Sequence, residues 1–330
     1  MIVAGVDGGA TKVVCIIGDE EGNVLGVGSA GPANYHVVGL STAKRNIRAC
    51  FERALNSARI RSGDVDVGVF GIGGLANDRD YRLVYEAVRS LNLVKEPIVV
   101  NDVVVAYYAI THGEPGVAVV AGTGSIAYGR NERGDEVRVG GWGWLVGDEG
   151  SAFDIARRAI NAAFRSYDGR GPSTSLTDAV KRRFNVKDLR DLITYLYAGR
   201  GTPVARIARL APLVNAAAVR GDEVARRILN EAGEELASAV IAAVRRLGMA
   251  GRSVVVGGVG GVFRSRFVTN SFRRKLFSER AFRPILRGPL YGPYPALGGL
   301  ILALKERGAL REGVAEKYFK SLSARVRAGA

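Results

Sequence analysis

Two Gly/Thr-rich turns carry the residue types that hold polyphosphate. The first is Val6-Asp7-Gly8-Gly9-Ala10-Thr11-Lys12, between strand-formers at 2–6 and 13–17. The second is Ala121-Gly122-Thr123-Gly124-Ser125, between strand-formers at 117–120 and 126–128. Small residues let backbone N–H groups approach an anion, and Thr or Ser hydroxyls add donors. Either turn alone is equally an ordinary hairpin bend. Together, with an acid in the first, they read as a clamp on polyphosphate from two sides. A carboxylate beside such a cradle repels phosphate unless a cation lies between. Asp7 therefore reads as a holder of Mg²⁺, through water, against the plainer reading of a turn Asp bonding its own backbone.

Asp102 follows the apolar run Ile98-Val99-Val100-Asn101. Such a run predicts a strand buried on both faces, as in parallel sheets. Ligands of open α/β sheets lie beyond the carboxyl ends of those strands. A carboxylate there could take the proton of an attacking hydroxyl, or it could cap a helix over 103–111. On position alone the two readings stand level.

The densest segment is Gly140-Gly141-Trp142-Gly143-Trp144-Leu145-Val146-Gly147-Asp148-Glu149-Gly150-Ser151. Aromatic faces beside paired carboxylates suit a sugar: apolar stacking plus acceptors for hydroxyls. The alternative is a Trp-filled core loop whose acids favour a helix N-terminus. Further on, Gly257-Gly258-Val259-Gly260-Gly261 follows a strand-former run. It does not fit GxGxxG, and GxxxxGK[ST] is absent, which excludes a P-loop. Glycines here would let a flat ring such as adenosine lie on the backbone.

The elements that must position these residues form a repeating pattern. Strand, turn, strand, hairpin tip, strand, helix, strand, helix, strand occurs twice. This predicts an α/β chain of two lobes with an interdomain cleft and a ligand in it. The first lobe spans 1–113 and the second 114–308, with a hinge near 111–116. Helices are expected over 41–58, through 151–248 with one over 205–219, and over 293–307. A basic amphipathic helix closes the chain at 316–327.

Composition narrows the chemistry. The chain has 330 residues, two cysteines (Cys15, Cys50) and two histidines (His36, His112). A disulfide framework and a Cys₄ metal or iron–sulfur site within one chain are excluded, so carboxylates, hydroxyls and backbone amides must do the work. The net charge of +15 is spread along helices without an aromatic stripe. It reads as a solvated surface that draws anionic nucleotides, not as a nucleic-acid site. No stretch approaches the roughly 20 apolar residues of a membrane span. The start runs directly into a strand pattern without signal-peptide regions, so a cytoplasmic, soluble protein is expected.

These residues together resemble the sugar-kinase, Hsp70 and actin superfamily. More closely they resemble the N-acetylglucosamine kinase group, which includes BadF/BadG-type ATPases and archaeal hexokinases. The matching stretches are DGGATK, PANYH, VND, AGTGS, GGWGWLVGDEGSA and GGVGG. The resemblance implies two actin-like (ribonuclease H-like) lobes, with the last helix, 309–330, returning to the first. It implies an ATP- and Mg²⁺-dependent transfer of phosphate to a hexose or amino-sugar hydroxyl. Gly8, Gly9, Thr11 and Lys12 would form the first phosphate turn, with Asp7 near Mg²⁺. Gly122, Thr123, Gly124 and Ser125 would form the second, and Gly257, Gly258 and Gly260 the adenosine region. Asp102 falls on the catalytic base. Asn34, Asp102, Thr123, Gly141, Trp142, Gly143, Asp148 and Glu149 fall on sugar contacts. Where animal enzymes have Thr-Asn-His-Trp, this chain has Ala33-Asn34-Tyr35-His36, which predicts a broad choice of acceptor.

Two alternatives remain. One is an ATPase that activates a dehydratase, which needs cysteine-ligated iron–sulfur at a dimer interface. The other is a sugar-sensing regulator, which needs an added DNA-binding domain for which this chain shows no room. A homodimer is expected from the resemblance and from apolar surface on the helices over 205–219 and 222–248. The other expected partner is the sugar, with neither nucleic acid nor membrane.

Overall fold

A computed structural model of the chain describes residues 1–197 and 204–328. The chain forms two compact units. In chain order the first unit opens with β1 (Ile2–Gly8), β2 (Val13–Asp19), β3 (Val24–Ala30), α1 (Tyr35–Val38) and α2 (Leu40–Ala58). It continues with β4 (Val67–Ile72), α3 (Asp78–Arg89), β5 (Glu96–Val100) and α4 (Asp102–Thr111). Its sheet runs β3-β2-β1-β4-β5. β1 pairs antiparallel with β2, and parallel with β4 so that Asp7 stands opposite Gly71.

Val6, Cys15, Phe51, Phe70 and Ile72 fill the core between this sheet and its helices. Burying each large apolar side chain contributes roughly 1.5–3 kcal/mol. The apolar run ending at Val100 is not a central strand. β5 is the edge of the sheet and only half-buried. Pro97 fits that place, because a residue without N–H is tolerated at a sheet edge.

The second sheet opens with β6 (Gly116–Ala121), β7 (Ser125–Arg130) and β8 (Glu136–Gly140); its residues 116–118 and 255–257 count with the first unit and the rest, up to 285, with the second. Helices follow: α5 (Ala152–Tyr167), α6 (Leu176–Phe184), α7 (Asp191–Tyr197), α8 (Val204–Ala208), α9 (Ala211–Val219) and α10 (Glu223–Arg246). Then come β9 (Ser253–Val259), α11 (Arg266–Ser278) and β10 (Arg283–Leu286). The sheet runs β10-β9-β6-β7-β8. Read from β8, this is the order of the first sheet again.

The helix expected over 205–219 is broken between α8 and α9, where Pro212 enters α9. Proline suits the first turn of a helix and not its interior. α10 buries Ile228, Leu229, Leu236, Val240 and Val244 against α5, α9 and α11 of its own unit. Much of the apolar surface that suggested a dimer is thus covered within this unit, while Val219 at the end of α9 stays exposed.

α12 (Leu297–Glu306) and α13 (Val314–Ala328) lie with the first unit. Residues 286–308, expected in the second lobe, pack here instead. Gly299 lets α12 rest on β1: a Cβ there would stand 2.5 Å from the Gly5 Cα. α13 lies on β2 and β3. The Val24 amide donates to Ser321 Oγ at 2.9 Å, and Tyr318 OH donates to the Asp19 carbonyl at 2.5 Å. Among the described residues, no helix is long and apolar enough to cross a membrane.

Candidate active site

In the first unit, three chain segments meet at the end of β1. The Gly9 amide donates to the Lys12 carbonyl at 3.1 Å, closing the turn. The Gly9 carbonyl accepts the amides of Ala33 at 3.1 Å and Asn34 at 3.3 Å. The Gly73 amide donates to the Gly8 carbonyl at 2.9 Å. Thr11 and Lys12 are exposed at the tip, while Gly8 is buried against Ile72 and Ala33.

Asn34 caps α1: its Oδ1 accepts the His36 amide at 3.0 Å. Its side-chain amide faces the glycine pair Gly73-Gly74. A Cβ on Gly73 would stand 2.7 Å from Asp102 Oδ2 and 3.6 Å from Asn34 Nδ2. One on Gly74 would stand 3.0 Å from Asn34 Nδ2 and 3.0 Å from the His36 ring. Asn34 and Asp102 thus share a wall that has no side chain.

The capping role that competed for Asp102 belongs to Asn101. Asn101 Oδ1 accepts the Val103 amide at 3.1 Å, and its Nδ2 donates to the Leu75 carbonyl at 3.1 Å. Asp102 is the first residue of α4. Burial pushes its carboxyl up to about 6, against the amides of Val103 and of Asp102 itself. Burial, and then the Asp102 charge, push Asp7 up to about 7, with Lys12 opposing. A carboxyl near pH 6 is poised to accept a proton.

This arrangement fits a phosphate-borne cation. A Cβ on Gly9 would meet only the Lys12 carbonyl, at 4.0 Å, and one on Gly122 would meet nothing within 4 Å. Both turns are open to a ligand. Among the described residues no three His, Cys, Asp or Glu side chains cluster as a cage. One or two carboxylates completed by phosphate and water are the usual setting of Mg²⁺.

In the second unit the turn is braced from behind. The Ala152 amide donates to the Gly122 carbonyl at 2.9 Å, and the Phe153 amide to the Thr123 carbonyl at 3.3 Å. Ser125 Oγ donates to the Glu149 carbonyl at 2.7 Å. The Ser125 hydroxyl proton is therefore engaged within the protein and not offered to phosphate. Its backbone amide, with that of Gly143, holds the Asp148 carboxylate. Burial still raises Asp148 above the ordinary range. Asp148 has a φ of +60°, a conformation that non-glycine residues rarely hold without a reason.

The helix after this loop is capped by Ser151, whose Oγ accepts the Asp154 amide at 3.1 Å. Asp148 and Glu149 are not its caps. Trp142 is 65 % exposed, with the Arg138 guanidinium 4.6 Å from its ring centroid. Trp144 packs edge-on against Phe153 at 5.7 Å. Gly141 meets the Ile126 side chain, whereas Gly143 faces open space.

The late glycine run owes most of its composition to the protein itself. A Cβ on Gly257 would strike the Arg287 carbonyl, and one on Gly258 the Phe263 ring at 2.5 Å. Gly260 has a φ of +111° and abuts the Ala121 carbonyl. Only Gly261 in this run faces open space. Cys15 and Cys50 are both 0 % exposed in the core of the first unit, and burial holds both thiols up, Cys50 to about 12. Neither presents a thiolate to a cluster. Asn101 and Asp80 were not among the expected residues. The signals for them were Asn101 directly before the acid and the Asn-x-x-Asp spacing of Asn77 and Asp80 at a helix start.

The sequence model of the BadF/BadG/BcrA/BcrD ATPase family matches residues 4–303. The chain belongs to this family. Among curated relatives, the N-acetylmuramic acid/N-acetylglucosamine kinase of Clostridium acetobutylicum is 35% identical over 275 residues, covering 83% of this chain and 90% of that one. The N-acetyl-D-glucosamine kinase of Dictyostelium discoideum is 29% identical, covering 93% and 98%. A solved structure of a candidate N-acetylglucosamine kinase from Chromobacterium violaceum superposes with a TM-score of 0.72 at 25% identity, covering 92% of this chain and 98% of that one. The family and these neighbours share the two-lobed, actin-like fold of sugar kinases.

Proposed function

We propose that this chain is an ATP-dependent kinase that phosphorylates a hydroxyl of a hexose or amino sugar, N-acetylglucosamine among them. The observation that carries the reading is Asp102. Its carboxyl is held near pH 6 beside the Asn34 amide, in the same unit as an open glycine turn that begins with Asp7. The kinases named among its relatives support the same reading.

In this reading Asp102 accepts the proton of the acceptor hydroxyl as that oxygen bonds to the γ-phosphorus and the bond to ADP breaks. Asn34 Nδ2 donates to the sugar, and the turns at Gly9 and Gly122 bind phosphate oxygens. Asp7 would hold Mg²⁺ carried with the nucleotide, whose charge neutralises phosphate. Asp148, Glu149 and Trp142 supply further sugar contacts. Positioning and electrostatics carry most of phosphoryl transfer, which matches a site of carboxylates and backbone amides.

A screen of ATP consumption against glucose, mannose, glucosamine and N-acetylglucosamine tests the reading. We expect sugar-dependent consumption, with glucose or glucosamine within about two orders of magnitude of N-acetylglucosamine in kcat/KM. Selectivity of three decades or more for the acetamido sugar would overturn the broad choice of acceptor. Consumption that ignores sugar would overturn the kinase.

A further inference from the structure

We propose that Tyr35 and Asp80 form a clasp that positions Asn34 for the sugar, making both residues determinants of acceptor affinity although neither is a contact of the reacting atoms. The inference rests on the sugar-kinase reading. Asp80 lies in the first turn of α3 and is only 7 % exposed. Its Oδ1 accepts the Tyr35 hydroxyl at 2.5 Å, and its Oδ2 accepts the Ala76 amide at 2.9 Å. One carboxylate thus joins α1, which carries Asn34 as its cap, to the loop that carries Gly73 and Gly74.

The same loop is held from its other side. Asn101 Nδ2 donates to the Leu75 carbonyl at 3.1 Å, directly before Asp102. The connection therefore runs from Asp102's neighbour through Leu75 and Ala76 to Asp80, Tyr35 and Asn34. It encloses the Gly73 wall that Asn34 and Asp102 share.

A four-residue helix has little stability of its own. α1 has four residues and no buried side chain. Outside contacts must hold it: Tyr35 packs against the edge of the core, and the Asn34 amide donates to the Gly9 carbonyl at 3.3 Å. His36 Nε2 lies 3.2 Å from the Gly74 carbonyl, but His36 is exposed. Tyr35 to Asp80 is the charge-assisted bond among them, the stronger class. Loss of it loosens α1 on the side away from the Gly9 carbonyl, which still accepts the Asn34 amide at 3.3 Å, so the placement of the Asn34 side chain relaxes while the turn keeps its backbone bonds.

The test uses the full chain as Tyr35→Phe, Asp80→Asn and the double variant, with N-acetylglucosamine and MgATP varied in turn. Each single variant should raise the sugar KM by about tenfold or more, the scale of one hydrogen bond to a charged group. The kcat should stay within about threefold and the MgATP KM unchanged, because only ground-state placement of the sugar is lost. The double variant should be no worse than the worse single, as for two partners of one interaction. Multiplying effects, or a sugar KM within about twofold of wild type, would overturn the clasp. Hydrogen exchange separates this from failure of the kinase reading. Amides of 37–39 should exchange faster in Tyr35→Phe while α2 stays as it was, whether or not any sugar is phosphorylated. Unchanged exchange at 37–39 would overturn the clasp by itself.

Discussion

The two glycine turns occupy matching places in sheets of one strand order, and their surroundings differ. At the first, burial leaves two carboxyls near neutrality: Asp7 at about 7 and Asp102 at about 6. At the second, the acid is restrained. Asp148 accepts two amides, and Ser125 is tied to the Glu149 carbonyl at 2.7 Å. The repeated fold supplies two cradles, and the distribution of charge separates them. At the first, the raised carboxyls are the proposed base and cation holder. At the second, the acid and the hydroxyl are fixed by hydrogen bonds within the protein.

The largest expected effect breaks the first turn's role. Asp102→Asn should keep sugar and nucleotide binding and lower kcat by on the order of 10²–10⁴. A variant with a third of the wild-type rate would remove Asp102 as base. Asp7→Ala should weaken MgATP binding by about tenfold or more, the scale of one charge-assisted contact. Sugar binding to the free enzyme should hardly change, and calorimetric titration of each ligand decides it.

The pH dependence sharpens the contrast. With MgATP saturating, so that Asp7 is already ionised, kcat/KM for the sugar should fall about tenfold per pH unit below the Asp102 value of about 6 and level off above it, because Asp102 works deprotonated. The sign for stability is opposite. A carboxyl raised from 3.8 in the fold favours the folded state when protonated, so its contribution is lost as pH rises from about 4 through about 6. Asp102→Asn should therefore melt higher than wild type at pH 8 in the absence of ligands. A lower melting temperature there would contradict the burial argument.

The smallest effects separate glycines kept for packing from those kept for a ligand. Gly260→Ala forces a side chain into a φ of +111° against the Ala121 carbonyl, and should cost about 2 kcal/mol or more. Gly122→Ala adds a methyl to open space. It should change stability by less than about 0.5 kcal/mol and raise the ATP KM. Thermal melts beside ATP titrations check both.

Much of this was legible in the sequence. The repeat of turn and strand predicted two α/β lobes, because runs of strand-formers and glycine punctuation are local signals. Asp102 was legible as the acid after an apolar run. Its distinction from a cap was not, because Asn and Asp cap alike and only the structure shows that Asn101 Oδ1 takes the Val103 amide, with its Nδ2 fixed on the Leu75 carbonyl. The edge position of β5 was hidden for a similar reason: Ile98-Val99-Val100 reads as central, and only Pro97 hinted otherwise. The glycines at 257, 258 and 260 read as a ring platform, but their neighbours Arg287, Phe263 and Ala121 come from other parts of the chain. Sequence spacing does not carry such contacts.

A sugar kinase couples each ATP consumed to a phosphorylated sugar, and ADP and sugar phosphate can be followed together in one reaction with N-acetylglucosamine, glucosamine or glucose. One sugar phosphate should form per ADP, with turnover in the absence of sugar lower by on the order of 10² or more. ADP released at the same rate with and without sugar, and no phosphate on the sugar, would contradict it.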